Sequence, residues 1–126
     1  MEVKAISRSV RISPRKIRLV ADAIRKLSVD EALKLLSTLK KRGVPPLEKT
    51  LRSAIANATN NANLKREELV IKSIDVLESP SYKRYRPSTR GRVHPYKRRG
   101  SHVIVTLEDM QKTEVAKEIK VKEEKK

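Results

Sequence analysis

The sequence lacks cysteine, phenylalanine and tryptophan, and it holds only three glycines and three tyrosines in 126 residues. Without cysteine the chain forms neither disulfides nor thiolate metal sites, and so few glycines exclude a glycine-rich phosphate loop. No apolar run approaches the roughly eighteen residues of a membrane span, and the first residues lack the apolar centre of a signal peptide. We therefore expect a soluble, intracellular protein with no membrane partner.

The residues that are abundant are aliphatic and basic. Hydrophobic residues make up 37% of the chain and are almost all Ala, Val, Ile and Leu, which predicts one domain with a small aliphatic core. The 31 basic residues outnumber the 15 acidic ones and give a net charge of +16. Because such a charge opposes compaction by self-repulsion, we expect a polyanionic partner.

Three segments have the periodicity and end signals of helices. Two of them, residues 13–27 and 45–61, carry apolar residues three and four apart and have proline in the first turn. The other begins with Ser28 and Glu31 in the spacing of a capping box, and Gly43 is its expected C-terminal signal.

Two short segments rich in β-branched residues, 69–78 and 101–109, are predicted strands, and residues 3–12 are a weaker third. Residues 111–126 carry ten charges in sixteen positions, so we predict a disordered tail beyond a single domain of residues 1–110.

The segment between the two stronger strands is too long for a structureless loop in a small domain, so we predict an extended β-hairpin over residues 79–102. If the turn is centred on Arg90 and Gly91, the numbers of any two residues that face each other across the hairpin add up to 181. That register pairs Ile74 with Leu107, Val76 with Val105, and Tyr85 with Tyr96. It also distributes the cations over both faces of the hairpin: Arg84, Arg86, Arg90, Lys97 and Arg99 on one, and Lys83, Arg92 and Arg98 on the other.

Two windows, residues 3–21 and 79–107, contain no acidic residue. Clustered cations with interleaved tyrosines indicate nucleic-acid binding, and the alternative is a solvated face or a lysine-protected strand edge. The tyrosines suit base stacking or a cross-strand pair, which do not exclude each other. The predicted contacts are Arg8, Arg11, Arg15, Lys16, Arg18, Tyr82, Lys83, Arg84, Tyr85, Arg86, Arg90, Arg92, His94, Tyr96, Lys97, Arg98, Arg99 and His102.

Catalytic chemistry has little support in the sequence. His94 and His102 are the only histidines, and no cluster of His and carboxylates has metal-ligand spacing. Asp75 and Glu78 lie three apart on a predicted strand and so point to opposite faces. We expect no enzyme activity, no metal and no cofactor.

Three blocks carry a family resemblance: "SPRKIRLVADAIR", "SAIANATNNA" and "SYKRYRPSTRGRVHPYKRRGSHVIVTL". Together they resemble the large-subunit ribosomal protein twenty-two family, of bacterial type, over about residues 1–110. The resemblance implies an α+β fold with three helices packed on a small antiparallel sheet of about three strands and a long protruding basic hairpin.

The resemblance also implies a function. Family members bind large-subunit ribosomal RNA, assist its assembly, and line the nascent-peptide exit tunnel with the hairpin, whose tip here is Ser88, Thr89, Arg90, Gly91 and Arg92. The implied partners are ribosomal RNA, neighbouring large-subunit proteins and the nascent peptide, and the free chain is expected to be a cytoplasmic monomer. Lys83 with Arg84, Gly91 with Arg92, and Arg99 with Ser101 and His102 match hairpin motifs of the family, whereas Ser79 stands where many members have Gly.

Two other functions remain open from the residues alone. A DNA-binding architectural protein also uses basic β-arms, but such arms usually come from dimers and carry an apolar wedge that "STRGR" does not offer. An RNA chaperone acting in trans would exchange rapidly from RNA, and the sequence does not separate it from a ribosomal component.

Overall fold

The structure, a computed structural model, describes residues 1–110, so the predicted disorder of residues 111–126 lies outside the described residues. The helices and long strands are β1 (Glu2–Val10), α1 (Pro14–Ile24), α2 (Val29–Thr38), α3 (Val44–Asn60), β2 (Leu69–Pro87) and β3 (Val93–Asp109). The strands form one antiparallel sheet in the order β1-β3-β2, with β3 in the centre. The predicted α+β class, three helices on a three-stranded antiparallel sheet, is confirmed. No helix within residues 1–110 is long and apolar enough to cross a membrane.

The capping box at the start of α2 is confirmed. The Ser28 hydroxyl accepts from the Glu31 N–H, and the Glu31 carboxylate accepts from the Ser28 N–H. The Ser28 side chain and then its backbone N–H lower the pKa of Glu31, because hydrogen bonds to the carboxylate favour its charged form. At the other end the prediction was wrong: α2 ends at Thr38, and Gly43 is the N-cap of α3 rather than the C-terminal signal of α2.

Gly43 stands where helices approach closely. A Cβ on this residue would lie 3.1 Å from the Lys16 carbonyl oxygen and 3.3 Å from the Ile17 Cα, both backbone atoms of α1. Glycine at this position therefore lets the α2–α3 loop lie directly on the first turns of α1.

The core lies between the sheet and the helices. α3 packs against β1 and β3, and α1 packs against β2. Its side chains are aliphatic, as the composition predicts, and α3 contributes small residues that let it approach the sheet closely. The fully buried members include Ile17, Ala21, Ile24, Leu36, Leu47, Leu51, Ala54, Ala58, Ile74, Val103, Val105 and Leu107.

The predicted register at the base of the hairpin was wrong by two residues. Ile74 pairs with Val105, and Val76 pairs with Val103. A shift of two leaves every side chain on its original face, so the prediction of one apolar surface from both strands still holds. All four residues are buried.

Further along, a bulge between Ser79 and Tyr82 adds one residue to β2, which shifts the register again. Tyr85 then pairs with Pro95, and Tyr96 pairs with Arg84. The predicted pair of Tyr85 with Tyr96 is therefore wrong, because the two rings lie on opposite faces of the hairpin.

Gly100 lies where the hairpin leaves the body of the domain. A Cβ on Gly100 would overlap the Ser79 hydroxyl and would lie 3.0 Å from the Val10 carbonyl oxygen. Next to it, the buried Ser101 hydroxyl donates to the Ile12 carbonyl at 2.9 Å. Close backbone packing thus fastens the root of the hairpin to the end of β1.

Candidate nucleic-acid interface

Beyond the pair formed by Ser79 and Gly100, β2 and β3 continue to a turn at residues 88–92, and no other helix or strand of residues 1–110 covers them. We refer to residues 80–99 as the projecting hairpin. About nine residue steps at about 3.3 Å each give it a length of about 30 Å. Most of its side chains are exposed, and none is acidic. Backbone hydrogen bonds between β2 and β3, rather than buried side chains, hold this segment together. Its side chains are therefore free to contact a partner.

One face of the projecting hairpin combines arginine with tyrosine. Arg84 pairs with Tyr96, and the neighbouring pairs place Tyr82 opposite Arg98 on the same face. The guanidinium carbon of Arg84 lies 5.7 Å from the centre of the Tyr82 ring. Those of Arg86 and Arg98 lie 5.1 and 5.8 Å from the centre of the Tyr96 ring. These cation–π contacts hold the guanidiniums in an ordered row.

The opposite face carries lysine. Lys83 and Lys97 pair directly, and Tyr85 pairs with Pro95 beside them. The sequence prediction placed Lys97 with Arg84 and put Arg98 on the other side. Both assignments were wrong because the turn is centred on Arg90 rather than between Arg90 and Gly91, and this shifts the pairing near the tip by one residue. Cations nevertheless lie on both faces: Arg84, Arg86 and Arg98 on one, and Lys83, Lys97 and Arg99 on the other, so the predicted placement of Arg99 with Arg84 was also wrong.

The tip is a tight turn of left-handed backbone. Arg90 and Gly91 have φ values of 57° and 68°, and the Ser88 N–H donates to the Arg92 carbonyl at 2.7 Å. Arginine in this conformation is strained, whereas glycine is not. The turn presents Thr89, Arg90 and Arg92 as exposed side chains.

A cleft of about 570 Å³ lies at the root of the projecting hairpin. It lies between the hairpin strands, the segment that joins β1 to α1, and the α2–α3 loop. Its basic lining residues come from both acid-free windows and from one further place in the chain, and no acidic residue among residues 1–110 lines it. They are Arg11, Lys16, Arg42, Arg84, Lys97, Arg98 and Arg99.

Comparison with known proteins decides the family. The model of the family described as ribosomal protein L22p/L17e matches residues 5–108. The chain belongs to this family. It is 42% identical over 109 residues to the large ribosomal subunit protein uL22 of Staphylococcus haemolyticus (strain JCSC1435), a match covering 86% of this chain and 93% of that protein. It is 47% identical over 109 residues to the large ribosomal subunit protein uL22 of Mesoplasma florum, covering 86% and 97%.

Membership of the L22p/L17e family confirms two of the sequence-based expectations. The resemblance of the three sequence blocks to this ribosomal-protein family was correct, and the chain is a structural component rather than an enzyme.

Among the predicted contact residues, Arg18 and His102 form hydrogen bonds to distant parts of this L22p/L17e domain. Arg18 donates from Nη2 and Nε to the Val76 carbonyl at 2.9 and 3.3 Å. Together with Arg25, which donates to the Ile74 carbonyl at 3.1 Å, it covers the outer edge of β2. This arrangement satisfies carbonyls of an edge strand that would otherwise face solvent.

His102 also has a distant hydrogen-bond partner. Its Nδ1 accepts a hydrogen bond from the Ser9 N–H at 2.9 Å. Ser9 has a φ of 55° within the irregularity of β1 between Ser7 and Val10, so the imidazole supports this bend. The exposed Arg8 and Arg15 lie outside the cleft at the hairpin root.

Sequence reasoning missed Arg42. It stands in the loop between α2 and α3, next to Gly43, and it joins Arg11 and Lys16 in the wall of the cleft. The only sequence signal for it is the run of cations Lys40, Lys41 and Arg42 before Gly43.

Proposed function

We propose that this chain, a structural constituent of the large ribosomal subunit, binds large-subunit ribosomal RNA, assists its folding during assembly, and lines the nascent-peptide exit tunnel with the projecting hairpin. It acts in the ribosome, in the cytoplasm. The observation that carries the proposal is an acid-free hairpin about 30 Å long with cations on both faces.

The distribution of charge favours a ribbon surrounded by RNA. A ribbon laid on the surface of a single duplex needs cations on one side only. Here the face of Arg84 and Arg98 is opposite the face of Lys83 and Lys97. Arginine suits bidentate phosphate contacts and stacking on bases, and lysine supplies compact point charges. A ribbon with both properties can contact RNA on two sides at once.

The positions of the hairpin tip and of the rest of the domain suggest the remaining partners. With the body anchored on RNA, the turn at Thr89–Gly91 is the end of the projecting hairpin, and we propose that it meets the nascent peptide. Neighbouring large-subunit proteins are proposed partners of the body, where Leu19 and Leu77 are exposed at 72% and 51%. We propose that the free chain is a monomer.

The salt dependence of RNA binding tests the proposal. Binding of the full chain to large-subunit ribosomal RNA would be measured between about 0.05 and 0.4 M potassium chloride, with duplex DNA of equal length as the competitor. If most of the eight cations of residues 82–100 reach phosphate, the slope of log K against log salt approaches about −6. A weak slope, or a chain that is dimeric and prefers duplex DNA, would contradict the proposal and favour a DNA-binding arm.

A further inference from the structure

The cleft at the hairpin root differs from the rest of the basic surface because it is concave. Its volume of about 570 Å³ is within the range of about 300–1,000 Å³ that is typical of pockets for small organic ligands, and a nucleotide is of this size. Chain segments far apart in sequence form its walls: residues 9–13, Lys16, Arg42, the β2 residues Ser79, Pro80, Tyr82 and Arg84, and residues 97–100. A concave cleft of this kind suits a small chemical group that enters it better than a flat molecular surface that lies across its opening.

The cations of the cleft are available for a ligand. Arg11, Lys16 and Arg42 are exposed, and within residues 1–110 no ion pair holds any of the three. They come from separate elements, and Arg99 of β3 lines the cleft with them. Their mutual repulsion is offset when phosphate groups bind between them.

An aromatic ring is part of the same cleft. Tyr82 lines it, and this residue is 54% exposed. The contact with Arg84, at 5.7 Å, gives the ring a defined neighbour. Unpaired bases in RNA loops and bulges stack on tyrosine rings and on guanidinium planes, whereas paired bases in an A-form helix cannot reach such groups.

We propose that this cleft binds one unpaired nucleotide extruded from an RNA bulge or loop. Its base stacks on Tyr82, and the phosphates on either side contact Arg11, Lys16, Arg42 and Arg99. This inference rests on the proposed RNA-binding function and adds a structural preference to it. The projecting hairpin binds RNA by charge along its length, and the cleft selects a place where the strand leaves the duplex.

The test uses two RNA duplexes that differ in one feature, a single bulged adenosine in one strand. Binding of the full chain to each is measured at about 0.15 M salt. The cleft variant is Lys16→Gln with Arg42→Gln. The matched control is Lys26→Gln with Lys34→Gln, which also removes two positive charges, but from exposed positions outside the cleft. All four side chains are exposed, so thermal unfolding of both variants should match that of the parent chain.

The parent chain should prefer the bulged duplex by about tenfold or more, as expected for one stacked base. Loss of two phosphate contacts should weaken binding of the cleft variant to the bulged duplex by about twentyfold, and the control variant should lose about threefold at most. Tyr82→Phe should keep the preference for the bulge, because it keeps the ring, and Tyr82→Leu should lose it.

Equal affinity of the parent chain for the two duplexes would overturn the cleft proposal, as would equal losses in the cleft and control variants. In either case strong, salt-dependent binding to large-subunit ribosomal RNA would leave the proposed function standing. Failure of the parent chain to bind any of these RNAs would overturn both.

Discussion

Replacing Arg84, Arg86 and Arg98 together by Gln should weaken binding of the chain to large-subunit ribosomal RNA by about 100-fold at about 0.15 M salt. Each phosphate contact contributes about 0.7–0.9 to the slope of log K against log salt, which is about four- to sixfold in affinity at that salt concentration. The three arginines share one face of the projecting hairpin and lie over tyrosine rings. The slope itself should therefore become shallower by about 2–3.

The control for this variant removes three charges from other places. Lys26, Lys34 and Lys49 are exposed and lie outside both acid-free windows, so their joint replacement by Gln should cost about fivefold or less. If the two triple variants lose the same affinity, net charge rather than the arginine face governs binding. An unchanged salt slope in the arginine variant would contradict the assignment of these residues to phosphate contacts.

Leu51→Ala should destabilise the domain by about 2–5 kcal/mol. Leu51 lies on α3 with no exposed surface and belongs to the aliphatic core. Truncation removes buried methyl groups and leaves a cavity, because the small alanines of α3 already bring its backbone close to its neighbours. Since a domain of this size is typically stable by about 5–15 kcal/mol, the loss is a large fraction of the total.

Equilibrium urea unfolding at constant salt measures this change. The midpoint should fall while the slope stays the same, which indicates a loss of stability without a change in the surface exposed. Leu19→Ala is the matched control, because Leu19 is 72% exposed on α1 and its truncation should cost about 0.5 kcal/mol or less. A midpoint for Leu51→Ala equal to that for Leu19→Ala would contradict the core described above.

Elements marked by local chemistry could be predicted from the sequence. Ser28 and Glu31 act within one turn of helix, so their spacing was enough to place the start of α2. The alternation of β-branched residues near Ile74 and Val105 likewise identified strands with one buried face. Gly43 was misassigned because a glycine between two helices can end one or begin the next, and packing against α1 decides between them.

The register of the hairpin depends on features that no local pattern marks. The turn is centred on Arg90 rather than between Arg90 and Gly91, and a bulge follows Ser79. Each shifts the pairing by one residue, and a shift of one exchanges the faces. The composition of the segment was therefore sufficient to predict a basic hairpin but insufficient to predict which cations share a face.

The basic charge of the candidate site could be predicted from the sequence, but its cleft could not. Folding places Arg42 and Lys16 in the wall of the same cleft, and their separation in sequence gives no sign that they are neighbours. The same separation hides the internal partners of Arg18 and His102, which contact Val76 and Ser9. The number of charged residues can be read from a sequence, whereas the contacts of each charged side chain depend on its neighbours in the folded chain.

The most direct test of the central claim is hydroxyl-radical footprinting of large subunits assembled with the full chain and with a shortened chain. In the shortened chain an Asn-Gly turn replaces residues 82–98, which keeps Ser79, Gly100 and the body of the domain. The account predicts that the shortened chain still enters the subunit, and that nucleotides along the exit tunnel lose protection while those around the body keep it. Unchanged protection along the tunnel, or failure of both chains to enter the subunit, would contradict it.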